Sequence, residues 1–318
     1  MRKRLDFEAL IAPLTAEDIG ACIESGRPEF EVGAAKKLCG VFNRERFDQA
    51  CLLADDLHVT YASEGRVSMT PLKHIDASDV NAHYQAGGTI CITGINQTCA
   101  DLRLLSATCK MSLGWSGVVD CRAYLSCDGG GYTPHFDDKC VITFQIEGCK
   151  RWEVCDAPAV RNPVSNAGRF SDGVFRYFKA APETESWEQF EQPLFCETAN
   201  TYTLNPGDIL VVPAGVWHSA CAIGNSLSIA LTLNHVGCGS VREIIFSALE
   251  RQLMSDPVWR GATPMAPHAD NAEPFESMCE IDAFFIERLH ELRQWVDKNL
   301  ADRTEIVRIW AERMSSRE

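Results

Sequence analysis

Three residues in this chain propose a chemistry by their type and spacing. They are His135 and Asp137, within Pro134-His135-Phe136-Asp137, and His218, within Val216-Trp217-His218. Residues i and i+2 of a strand project from one face, so an imidazole and a carboxylate spaced this way can enter one cavity. A distant histidine completes a two-histidine, one-carboxylate set, which binds one face of an Fe(II) octahedron and leaves three positions open. The same three residues are thus the candidate metal ligands and the candidate catalytic centre. His-x-Asp alone is common by chance, and a lone histidine near a strand end is usually structural. The specific signal is the order: His-x-Asp, apolar strands, a Gly-Asp turn, a strand, then histidine.

These ligands need strands to carry them. Between Phe136 and Trp152 the residues Val141, Ile142, Phe144 and Ile146 give a strand-rich pattern. The second ligand follows the turn Asn205-Pro206-Gly207-Asp208 and the apolar run Ile209-Leu210-Val211-Val212-Pro213, which reads as a buried strand ending in a Pro/Gly turn. Beyond it, Ser226-Leu227-Ser228-Ile229-Ala230-Leu231-Thr232-Leu233 alternates polar and apolar, as a barrel strand does. The pattern predicts His-x-Asp on one strand facing the distal histidine on another across a barrel mouth.

The runs Tyr132-Thr133-Pro134-His135-Phe136-Asp137 and Phe144-Gln145-Ile146-Glu147-Gly148-Cys149-Lys150-Arg151-Trp152 resemble the core of the JmjC-type 2-oxoglutarate oxygenases, and more narrowly their cupin-like ribosomal-oxygenase branch. The segment from Gly207 to His218 is similar to that family's second metal motif. Gly87 to Ile95 and Leu5 to Leu14 extend the likeness over about the first three quarters of the chain.

The resemblance implies an α+β, mainly β fold: a double-stranded β-helix (a jelly roll of cupin and JmjC type) with N-terminal and C-terminal helices. It implies an oxygenase using Fe(II), 2-oxoglutarate and O2 to hydroxylate a C–H bond of a protein or peptide side chain, releasing succinate and CO2. The same chemistry on a small molecule is the alternative, and a non-oxygenase cupin or binding module a third. Lys150 stands where the family binds the distal carboxylate of 2-oxoglutarate, and a buried ammonium does need an anionic partner. Ser126 falls in the family's cosubstrate-contact region, and Thr232 and Asn234 are further pocket candidates. Arg151 should face the other side of the strand from Lys150. By the same alternation Asp138 should point away from the metal face, solvated or paired with Lys139. Gly129-Gly130-Gly131 lacks the Lys-Ser/Thr ending of a phosphate cradle and reads as a flexible lid.

Composition bounds the rest. A chain of 318 residues, 46% hydrophobic, can bury one large core or one core with an appendage. We divide it into an N-terminal segment of helices and edge strands (1–85), a jelly-roll core (86–235) and a C-terminal helical region (236–318). Phe284, Phe285, Leu289, Leu292 and Val296 recur there at helical spacing, which suits packing onto the barrel or, as in several members of the family, a homodimer. The region is short for the winged-helix domain of ribosomal oxygenases, which weighs against a ribosomal substrate. The formal charge of −14 argues against nucleic acid and suits either plain solubility or a cationic protein or peptide partner. The acidic stretch from Glu183 to Glu191 reads as an exposed insert bordering a substrate groove. No apolar run reaches the length of a membrane span and no signal core follows Met1, so a cytoplasmic setting is expected. The 15 cysteines are scattered singly, without zinc-ribbon spacing. Cys140, Cys149 and Cys155 read as small core residues.

Overall fold

Alternating apolar residues and the turns between them produce twelve strands among the described residues. They are β1 (Glu29–Glu31), β2 (Asp56–Tyr61), β3 (Lys73–His74), β4 (Gly88–Thr93), β5 (Val118–Ser126), β6 (Gly131–Phe136), β7 (Cys140–Pro158), β8 (Ala167–Arg169), β9 (Phe175–Tyr177), β10 (Ala199–Leu204), β11 (Ile209–Val212) and β12 (Val216–Asn234). The structure is a computed structural model and describes residues 6–61, 73–169, 175–178, 199–234, 239–262 and 279–315. The acidic stretch from Glu183 to Glu191 and the connection from Pro264 to Pro274 lie outside the described residues.

All pairings are antiparallel, and the main path runs β1-β11-β7-β12-β5-β4-β2-β3. The 19-residue strands β7 and β12 organise the fold, because each serves two neighbourhoods. The first part of β12 pairs β6 and the end of β7; its second part pairs β5 and the start of β7. The register shifts between Ile223 and Ser226, opposite Gly148. Gly148 has φ +65°, and a Cβ there would lie 1.6 Å from Asn225 O, so only glycine lets the two strands bend together. This is a jelly roll of the expected class.

Two apolar layers flank the sheet. One packs Phe7, Leu10, Phe47, Leu102 and Leu105 of the helices, and Phe42 from a connection between two of them, on Ile90, Ile92, Ala123, Leu125, Phe144 and Ile229. The other gathers Phe136, Trp152, Val154, Phe175, Tyr177, Leu210 and Trp217 around the far end of the strands. Helix Ala16–Ser25 starts on a reciprocal capping box between Thr15 and Asp18. Helix Ala100–Ser112 turns Leu102, Leu105 and Cys109 inward.

The chain divides by its contacts into two units, the second being Gly239–Ser316. This unit is helical: Val241–Ser255, Pro257–Arg260, Cys279–Ala301 and Thr304–Ser315. Ser240 caps its first helix by accepting from the Glu243 N–H at 3.3 Å. Ile244, Ala248 and Ile309 form a small core with Trp295 and Ile306, and Arg251 meets Glu312 at 2.9 Å. Phe285, Leu289 and Val296 of the long helix are exposed. Among the described residues no helix is long and apolar enough to cross a membrane.

Candidate metal centre and cosubstrate cavity

The spacing of two works as the strand period requires. His135 on β6 and Asp137 just past its end both line the barrel cavity, while the intervening Phe136 turns into the second apolar layer against Trp217 and Tyr177. His218 lies directly opposite His135 in the β12–β6 register, their rings 4.3 Å apart. The Gly215 N–H, in the turn before His218, donates to Asp137 O at 2.9 Å and ties the two ligand segments together. One ligand atom from each of His135, Asp137 and His218 lies within 4.8 Å of the others, with His218 Nε2 3.7 Å from Asp137 Oδ2.

Their hydrogen bonds set the tautomers. His135 Nδ1 meets Thr133 O at 2.7 Å and His218 Nδ1 meets Val216 O at 2.9 Å. A carbonyl oxygen only accepts, so both Nδ1 atoms carry the proton and both Nε2 atoms present a lone pair. Two neutral imidazoles and one carboxylate suit a divalent first-row metal, and the residues fit Fe(II). Trp152 stacks on His218 at 5.9 Å and fixes its plane.

The triad opens onto a small cavity of about 50 Å3. Four polar atoms of its wall residues are buried without a hydrogen-bond partner among the described residues: Thr143 Oγ1, Ser228 Oγ, Trp152 Nε1 and Arg122 Nε. Buried donors left unpaired cost free energy, so such a cluster calls for an acceptor-rich ligand. Lys150 lines the same cavity, 2% exposed, its ammonium 3.4 Å from Ser126 Oγ and 5.9 Å from the Tyr124 ring. A dicarboxylate fits these donors.

Burial pushes Lys150 down from its ordinary value to about 8. Only the ammonium form attracts a carboxylate, so cosubstrate affinity is expected to be full below about pH 8 and to fall by up to about tenfold per unit above it. Binding itself raises the pKa, so the decline moves to higher pH at saturation. Titrating 2-oxoglutarate into the metal-loaded chain across this range tests it; an affinity flat to about pH 10 would contradict it.

The other singled-out residues sort as follows. Ser126 is fully buried, 3.0 Å from Thr89 Oγ1, and stands behind Lys150 rather than on the cavity wall. Thr232 lines the cavity, whereas Asn234 lines a separate surface hollow. Arg151 is exposed on the opposite side of its strand. Asp138 accepts from Lys139 at 2.9 Å. The glycine loop is pinned rather than lid-like: Gly129 N–H donates to Ala222 O, Ala222 N–H to Gly130 O, and Gly224 N–H to Asp128 Oδ1. Cys140 and Cys155 are buried, Cys149 is half-buried, and none of the three is in a disulfide.

Sequence reasoning missed Arg122, Tyr124, Tyr132, Thr143 and Ser228 on the cavity wall. The signal lay in β5, where polar Asp120, Arg122, Tyr124 and Ser126 alternate with buried Val119, Cys121, Ala123 and Leu125.

Residues 105–238 match the family model described as a JmjC domain. An uncharacterized protein YxbC of Bacillus subtilis is 28% identical over 166 residues, covering 51% of this chain and 44% of that protein. A bifunctional lysine-specific demethylase and histidyl-hydroxylase NO66 of Drosophila persimilis is 28% identical over 181 residues, covering 56% of this chain and 23% of its own. The solved structure of Escherichia coli ycfD covers 95% of this chain and 72% of its own, with a TM-score of 0.60 at 16% identity. In a second structure YcfD, titled a ribosomal oxygenase, is in complex with cobalt and 2-oxoglutarate; the TM-score is 0.55 at 17% identity, covering 91% of this chain and 68% of that one. The chain spans less than half the length of these curated relatives.

Proposed function

We infer, from a chain that carries a JmjC domain over residues 105–238, that it is an Fe(II)- and 2-oxoglutarate-dependent oxygenase hydroxylating a C–H bond of a protein or peptide side chain. The observation that carries this is the convergence of His135, Asp137 and His218 on a cavity whose wall also holds the buried ammonium of Lys150.

His135, Asp137 and His218 would hold the ion on one face and leave positions for the two cosubstrates. Lys150 would take the distal carboxylate of 2-oxoglutarate and so orient its 2-oxo acid end toward the metal. Thr143, Ser228 and Trp152 offer donors along the same wall, and apolar Val141, Ala220 and Ala230 keep water from the reacting atoms. When bound, iron and 2-oxoglutarate supply the oxidising power; the protein positions and shields. The balance is one C–H bond, one 2-oxoglutarate and one O2 giving an alcohol, succinate and CO2.

The relatives named as hydroxylase and ribosomal oxygenase support a polypeptide substrate. A small-molecule substrate is the second reading, favoured by the polar groups that converge on one cavity. The exposed Phe285, Leu289 and Val296 stripe supports a homodimer through the C-terminal helices, and a cytoplasmic setting suits the free cysteines. Division at about residues 85 and 235 remains our domain reading. Incubation with Fe(II), 2-oxoglutarate and candidate peptides tests the function: succinate should form in step with a gain of one oxygen mass. A gain of oxygen that does not need 2-oxoglutarate would contradict it.

A further inference from the structure

Arg122 is the cation that the proposed chemistry does not use. It sits on the same inward face of β5 as Tyr124 and Ser126, opposite Ala230 of β12. Four residues separate it from Ser126, about 13 Å along the strand, so it stands well away from the register of Lys150. Elsewhere on the cavity wall Lys139 meets Asp138 at 2.9 Å, and His58 Nδ1 lies 3.3 Å from Asp56 Oδ1. Arg122 Nε lies 3.7 Å from Asp120 Oδ2, beyond hydrogen-bond reach, and the Asp137 carboxylate also acts on it through charge. Arg122 Nε is among the buried donors without a hydrogen-bond partner, while its side chain keeps 25% exposure.

A guanidinium offers a planar fork of donors shaped for a carboxylate. On the function proposed above, Lys150 and the metal take the two carboxylates of 2-oxoglutarate. That leaves the fork of Arg122, whose Nε has no hydrogen-bond partner among the described residues, to a different ligand. We propose that Arg122 anchors a carboxylate of the substrate, so that the preferred target is an acidic residue, or a residue beside one, and not a basic side chain. The net negative charge of the chain suggests a cationic partner; the cavity wall selects the opposite sign next to the reacting carbon. This rests on the oxygenase reading of the same cavity.

The test uses the full chain loaded with Mn(II) and 2-oxoglutarate. It is offered pools of amidated pentapeptides with one central residue, Asp, Glu, Asn, Gln, Lys, Arg or His, and the retained peptides are read by mass. Asp or Glu pools should be enriched, and Arg122→Gln should remove that enrichment, by roughly 10- to 100-fold, whereas Arg122→Lys keeps part of it. Free N-acetyl acidic amino acids form a parallel arm; capture of these but not of acidic peptides assigns the same carboxylate site to a small molecule. Titrating 2-oxoglutarate into Arg122→Gln checks that this variant is folded and loaded. No enrichment, or enrichment of neutral or basic pools, overturns the proposal. So does an Arg122→Gln protein whose 2-oxoglutarate requirement rises as far as that of a Lys150 variant, because Arg122 would then serve the cosubstrate. Failure of the unsubstituted chain to bind Mn(II) and 2-oxoglutarate at all would instead overturn the oxygenase reading.

Discussion

Replacing Asp137 with alanine is expected to lower Fe(II)-dependent turnover by at least about a thousandfold while leaving the fold intact. Loss of a hydrogen-bonding partner behind a metal ligand already costs 10- to 100-fold, and here a ligand and its charge are lost together. The variant should fold because Asp137 ties the two ligand segments together through its backbone. Its carbonyl accepts from Gly215 N–H at 2.9 Å, and alanine keeps that bond. Lys139 does not become an orphan, since its closer anion is Asp138 at 2.9 Å against 4.0 Å for Asp137. Circular dichroism and a thermal melt should match the unsubstituted chain, and metal binding by calorimetry should be lost. Turnover within tenfold of normal would remove Asp137 from the centre.

Lys150→Ala is expected to raise the 2-oxoglutarate requirement by two to three orders of magnitude. A cosubstrate carboxylate deprived of its buried partner typically loses about 3–5 kcal/mol. Folding should be unimpaired or improved, because the apo protein loses a buried ammonium that, among the described residues, meets Ser126 Oγ at 3.4 Å and the face of Tyr124. Saturation curves for succinate formation separate the effects: the half-saturating concentration should shift while metal affinity does not. An unchanged requirement would show that another residue anchors the carboxylate.

The strand period made much of the centre legible. His135 and Asp137 are two apart, so a strand alone puts them on one face. His218 was readable because a Gly-Asp turn, an apolar run and a Pro/Gly turn lead into it. Lys150 was found by likeness of the surrounding run to a known family rather than by spacing. Arg122, Tyr124 and Ser228 were harder, because they meet through pairing between strands a hundred residues apart. Tyr124 stands opposite Ser228 and Arg122 opposite Ala230, a register no local pattern prints. Ser126 was read as a cosubstrate donor, whereas its hydroxyl lies against the Lys150 ammonium and Thr89. The glycine loop looked mobile by composition, yet close backbone approach is what its glycines permit. A Cβ on Gly131 would lie 1.9 Å from Ala220 O.

The central claim is that one ion on His135, Asp137 and His218 shares this cavity with 2-oxoglutarate held by Lys150. Anaerobic titration of Fe(II) and then 2-oxoglutarate into the full chain, followed by visible absorption, tests it most directly. The account predicts a metal-to-cosubstrate charge-transfer band that saturates at one iron per chain, is absent in Asp137→Ala, and needs far more 2-oxoglutarate in Lys150→Ala. A band of equal strength in Asp137→Ala, or no band in the unsubstituted chain at saturating iron and 2-oxoglutarate, would contradict it.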